Sequence, residues 1–267
     1  MTSTTRRLLG GVLCLALGVA AACGGDDDSD AAASGTTVAE SHLDGSITVF
    51  AAASLTDAFS EAAEDFMAAN PDVTVELNLA ASSALREQIL AGAPSDVFAS
   101  ANSSNMDQVV EGGAVEGDPR PFAANVLEIA VPAGNPGDVD GLDDFGDADL
   151  LVGLCAAEVP CGQFGREALA RAGVTPAQDT DEPDVRSLLT KVEAGDLDAG
   201  IVYHTDVLAA GDAVEGVAIP EDQNVVAEYP IAALSASGEA EIAAAFVEFV
   251  LSDEGQDILA SYGFRPA

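Results

Sequence analysis

Val49–Phe59, VFAAASLTDAF, decides how the rest of the chain is read. An apolar strand over 46–52 runs into three alanines and a serine, and a helical pattern starts at once. Leu55, Ala58, Phe59, Ala62, Phe66 and Met67 fall at helical spacing until Pro71 stops the run. Nothing bulky stands at the turn, so a small anion could be seated directly against the backbone there.

The alternation continues outward from this unit. Strands are predicted over 73–80, 95–101, 125–134, 149–156, 200–208 and 228–234. Helices are predicted over 83–94, closed by Gly92 and Pro94, over 162–173, ended by Gly173, and from 184 after Pro183. The segment 238–264 supplies the last helices. Apolar strands alternating with amphipathic helices predict an α/β fold, with mostly parallel sheets flanked by helices. Two such units follow in series. The final helices are expected to return onto the first, which makes two lobes joined by two crossings.

Four strand-to-helix junctions carry a small or hydroxyl residue: Ala53-Ser54, Ser82-Ser83, Cys161-Gly162 and Asp184-Val185. In a parallel α/β sheet such junctions share the C-terminal edge, where ligands bind. Each helix start offers unpaired N–H groups and the positive end of a dipole. Together they form an anion site without a charged side chain. Taken singly, Ser54 and Ser82 read as helix caps, Gly162 as a turn residue and Asp184 as an N-cap. Tyr203 reads as a half-buried aromatic and His204 as a strand-end histidine. Only the set points to a ligand.

Residues 1–22 read as an export signal, with Arg6 and Arg7 ahead of an apolar core too short to span a bilayer comfortably. Ala20-Ala21-Ala22 before Cys23 resembles the lipobox of bacterial lipoproteins, which makes Cys23 the expected lipid anchor; a cleaved, free periplasmic or secreted form is the alternative. Residues 23–45, rich in Gly, Asp, Ser, Ala and Thr, are expected to form a flexible tether. Membrane contact is then through the lipid alone. Of the four cysteines, Cys155 and Cys161 fall inside the domain. Export favours a disulfide between them over two buried thiols, and a metal site comes third.

The formal charge is −37, and the signal removes two arginines and no acids from it. Phosphate backbones need Lys and Arg, so nucleic acid is not expected as a partner. Distant surface charge is screened within about 10 Å at 0.1 M salt, so local donors can still hold an anion.

ITVFAAASLTDAF, ASSALREQILAGAPSDVFASA, EVPCGQFGREAL, DVRSLLTKVEAGDLDAGIVYHTD and SYGF resemble the periplasmic molybdate-binding proteins of ABC importers, from about 46 to 265. The resemblance implies the type II periplasmic binding protein fold, with one lobe of 46–124 and 230–267 and another of 125–229, closing on the ligand. It implies capture of molybdate or tungstate by a monomer, delivery to an ABC permease, no catalysis and no cofactor. It carries over five oxyanion contacts: Ser54 and Ser82 through hydroxyl and N–H, Cys161 and Val185 through N–H, and Tyr203 through its OH. Cys161 stands where the family commonly has alanine, so its contact rests on the backbone alone.

Two alternatives remain at this point. One is a binding protein for another ligand, such as sulfate, or ferric iron held by tyrosines, of which only Tyr203, Tyr229 and Tyr262 exist. The other is a serine hydrolase, which would need His42 or His204 beside Ser54 or Ser82. No G-x-S-x-G elbow or P-loop is present.

Overall fold

The computed structural model describes residues 42–267; the signal, Cys23 and most of the tether lie outside them. The first unit is β1 (Gly45–Ala52), a single 3-10 turn over Ala53–Leu55, α1 (Thr56–Ala69), β2 (Val73–Ala80), α2 (Ser82–Leu90), β3 (Val97–Ala99) and α3 (Ser103–Glu111). β1 lies between β2 and β3 and is parallel to both. α1 buries Ala58, Phe59, Ala62, Ala63 and Phe66, the face given by the helical spacing of its apolar residues.

β4 (Arg120–Pro132) is the longest strand and belongs to both halves of the sheet. Arg120–Val126 pairs with β9 (Val226–Ala233), while Leu127–Ala130 pairs with β7 (Ala199–Tyr203). β9 returns the chain and pairs antiparallel with β3. β4 and β9 are therefore the two crossings. The second half contains β5 (Val152–Cys155), α4 (Pro160–Ala172), β6 (Thr180–Glu182), α5 (Val185–Glu193), β7, α6 (His204–Ala210) and β8 (Val214–Ala218). β5 is parallel to β6 and β7. Parallel pairing is confined to the two outer groups; every pairing of β4 or β9 is antiparallel.

α7 (Ala240–Leu251) and α8 (Asp253–Ser261) close the chain. Phe246 of α7 meets Phe66 edge to face at 5.3 Å and Phe59 at 6.2 Å, so these helices pack on the first unit. α4 ends at Gly173 in the left-handed region (φ +76°), which a Cβ disfavours.

Four elements differ from the sequence expectation. The strand expected over 200–208 stops at Tyr203, because Asp206 accepts the Tyr203 N–H at 3.1 Å and starts α6. α3, β6 and β8 were not predicted. α3 (SSNMDQVVE) has few apolar residues, β6 is three polar residues at a sheet edge, and β8 is short and interrupted by Gly216. Among the described residues, no helix is long and apolar enough to cross a membrane.

Candidate functional site

Five strand-to-helix junctions converge on one cavity. Ser54 follows β1, Ser82 opens α2 after β2, Cys161 is the second residue of α4 after β5, Val185 opens α5 after β6, and Tyr203 ends β7. The cavity has a volume of about 20 Å³, and all five residues line it, with Ala52, Ala53, Ala81, Ala101, Val159, Pro160 and Asp184. All five are between 1% and 4% exposed. That space exceeds what one water needs and suits a small ion rather than an organic solute. No lysine, arginine or histidine is among the lining residues.

The first wall is made of side-chain hydroxyls. Ser54 Oγ is 2.9 Å from the Tyr229 hydroxyl, and Ser82 Oγ accepts from the Ala101 N–H at 3.0 Å. The second wall is made of helix starts. The first N–H groups of α4 and α5 have no partner within their own helices. Asp184 is the N-cap of α5: its Oδ1 accepts from the Ser187 N–H at 2.8 Å and its Oδ2 from the Ser187 hydroxyl at 3.1 Å. Its carboxylate is thereby engaged with its own helix.

Gly162 sets the position of α4. A Cβ there would sit 1.9 Å from the Ala156 carbonyl oxygen and 2.5 Å from that of Cys155. Only glycine lets the helix start approach the end of β5 this closely. Cys155 and Cys161 are joined by a disulfide across the same turn, with Cα atoms 5.7 Å apart.

Tyr203 supplies the remaining polar group. Its hydroxyl is buried and has no hydrogen-bond partner among the described residues. Burial, with the nearby Tyr229 and Asp206, pushes the phenol well above its ordinary value, so it is protonated and able to donate. A buried, unpaired donor beside a cavity costs free energy unless a ligand accepts from it.

Asp206 and Arg186 were not singled out in the sequence. Asp206 is fully buried, and burial raises its carboxyl to about 6 against the attraction of Arg186 and the Tyr203 N–H. Arg186 Nε lies 3.3 Å from Asp206 Oδ1, and its Nη2 pairs with Asp57 of α1. Across the cavity Asn102 Nδ2 donates to Gln163 Oε1 at 3.0 Å. The two walls are thus tied together on both flanks. Tyr229, on β9, was considered only as an iron ligand. Neither Tyr229 nor Asp206 neighbours a predicted junction serine in sequence, so only the fold brings them in.

The histidines stand elsewhere. His204 Nδ1 is 2.6 Å from Glu128 Oε2, and His42 Nε2 is 3.1 Å from Asp72 Oδ2. Neither lines the cavity. Among the described residues no cluster of three His, Cys, Asp or Glu could hold a metal ion.

Residues 47–265 match the family described as bacterial extracellular solute-binding protein. The chain belongs to that family. This solute-binding protein is 40% identical over 219 residues to the molybdate-binding protein ModA of Mycobacterium tuberculosis, covering 82% of this chain and 84% of the relative. It is 34% identical over 234 residues to that of Escherichia coli, covering 83% and 89%. The sulfate-binding protein SubI of M. tuberculosis superposes with a TM-score of 0.76 at 22% identity, covering 83% of this chain and 87% of the other, a likeness of fold. The two-lobed architecture with two crossings is that of this family of binding proteins.

Proposed function

We propose that this solute-binding protein captures molybdate or tungstate outside the cytoplasmic membrane, as a monomer, and delivers it to the permease of an ABC importer. The lobes are 46–124 with 230–267 and 125–229, and they close on the ion. It binds without catalysis and without a cofactor. Residues 1–22 are removed, and Cys23 carries the lipid that anchors the tether 23–45.

The observation that carries the reading is the donor set of the cavity: Ser54, Ser82 and Tyr203 hydroxyls with helix-start N–H groups, no cation and no histidine among its lining residues. Such a shell suits a fully deprotonated tetrahedral anion. About seven hydrogen bonds to a charged guest, at roughly 1.5–3 kcal/mol each, sum to about 10–21 kcal/mol, against the ~8–12 kcal/mol of micromolar to nanomolar binding. Dehydrating a dianion and closing the lobes consume the excess. The resemblance to molybdate-binding relatives at 40% identity supports molybdate over sulfate.

Sulfate is the second reading, since it too is fully ionised and the fold is shared with a sulfate-binding protein. Calorimetric titration of the purified protein with molybdate, tungstate, sulfate and phosphate separates the two. Molybdate and tungstate are expected to bind at least 100-fold tighter than sulfate, and phosphate weakest. Sulfate binding as tightly as molybdate overturns the assignment. The intact mass of the membrane-extracted chain tests the anchor: a diacylglycerol adduct on Cys23 is expected, and an unmodified cysteine refutes it.

A further inference from the structure

Ser54 and Ser82 hold matching places on the first wall, and each has one hydrogen-bond partner behind it. The Ala101 N–H donates to Ser82 Oγ at 3.0 Å. An amide N–H can only donate, so the Ser82 hydrogen is left for the cavity. Behind Ser54 stands the Tyr229 hydroxyl at 2.9 Å, where either oxygen can give the proton.

The direction matters to a ligand. If Ser54 donated backwards to Tyr229, its lone pairs would face the cavity. They would repel a dianion and welcome an anion that carries a proton. If Tyr229 donates to Ser54, the serine donates forward, as Ser82 does.

The chemistry of the pair favours the second arrangement. Tyr229 is fully buried on β9, packed against Phe264 at 5.5 Å, Tyr203 at 6.1 Å and Phe122 at 6.2 Å between ring centres. Burial pushes its phenol well above the ordinary value, with the hydrogen bond to Ser54 working only partly against it, so the proton stays on. A phenol is a stronger acid than an aliphatic alcohol, so between the two the phenol gives and the alcohol accepts.

We propose that Tyr229 is a positioning residue that donates to Ser54, fixes it as a forward donor, and thereby excludes protonated oxyanions from the site. Tyr229 does not line the cavity; it acts through Ser54. Its place on a crossing strand ties that setting to the strand that joins the halves. The inference rests on the oxyanion reading above and names what makes that site selective.

Tyr229→Phe removes one oxygen and keeps the ring. Titration with molybdate and with inorganic phosphate at pH 7 is expected to show molybdate affinity falling about 10-fold while phosphate does not weaken, so their ratio narrows. On a Ser54→Ala background Tyr229→Phe has no further effect on molybdate; on Ser82→Ala it keeps its full effect. A purely packing role would weaken both anions alike and add to Ser54→Ala, and either result overturns the proposal. Wild type that binds none of the oxyanions overturns the oxyanion reading itself, and the inference with it. If the variant does not fold, neutron diffraction of the deuterated wild type locates the deuteron: on Tyr229, pointing to Ser54, supports the relay, and on Ser54, pointing to Tyr229, refutes it.

Discussion

The two walls of the cavity solve the same problem by different means. On the first wall the candidate donors include rotating hydroxyls, Ser54 and Ser82, whose directions are set by groups behind them. On the second wall most donors belong to the backbone at the starts of α4 and α5, and the helices themselves aim them. Only Tyr203 breaks the pattern; the buried Asp206 holds its backbone N–H, and its ring packs edge-on against Tyr229. The first wall should therefore be sensitive to side chains. The second should tolerate changes of side chain and fail when its backbone moves.

The harshest test of that contrast is Gly162→Ala. A Cβ 1.9 Å from the Ala156 carbonyl oxygen cannot be accommodated without moving the start of α4. Molybdate affinity is expected to fall by at least about 100-fold, with a stability loss of roughly 2 kcal/mol or more in denaturant titration. Retained affinity would mean that the second wall is not held by this close approach.

Asp206 sharpens the comparison through pH. Its folded carboxyl is raised to about 6 from an ordinary 3.8, chiefly by burial. Between those values the folded protein binds the proton more tightly than the unfolded chain, so this contribution to stability is present at low pH and lost as pH rises through 6. Relative to Asp206→Asn, the wild type should lose stability between pH 4 and pH 7, by on the order of 3 kcal/mol. A constant difference between the two proteins across that range would contradict the buried, proton-holding carboxyl.

Tyr203→Phe removes the one side-chain donor of the second wall. Affinity for molybdate should fall roughly 10- to 100-fold, the loss of one hydrogen bond to a charged group. The unliganded protein should be no less stable, because the hydroxyl has no partner among the described residues. A lower melting temperature of the empty variant would reveal a structural role instead. The smallest effect belongs to Val185→Ala. Truncating a buried side chain costs about 1–2 kcal/mol of stability. Affinity should change by less than about threefold, since the backbone N–H remains.

The strand–helix alternation was legible because apolar periodicity changes sharply at each junction. β2 over 73–80 falls where VTVELNLA places it, and α1 follows the spacing of its phenylalanines. What escaped was short, polar or tertiary. β6 is Thr-Asp-Glu, held as a strand only by its pairing with β5. The end of β7 at Tyr203 depends on Asp206 turning back to cap α6, a contact that no apolar pattern encodes. Four of the five candidate contacts stand at junctions that the sequence marked; Tyr203 was expected inside a strand over 200–208, and only the family resemblance offered it as a contact. The residues behind them were not legible. Tyr229 lies 175 positions from Ser54, and Asp57 lies 129 from Arg186. Such pairings are products of the fold, and local sequence carries no trace of them.

The central claim is that uncharged donors from both walls hold one buried, deprotonated metal-oxo anion. Anomalous diffraction from a crystal grown with tungstate tests it most directly. The account predicts a single tungsten peak in the cavity, with oxygens in hydrogen-bond reach of the Ser54, Ser82 and Tyr203 hydroxyls and the Cys161 and Val185 N–H groups. A peak seated on Arg186, or outside the cavity altogether, would contradict it.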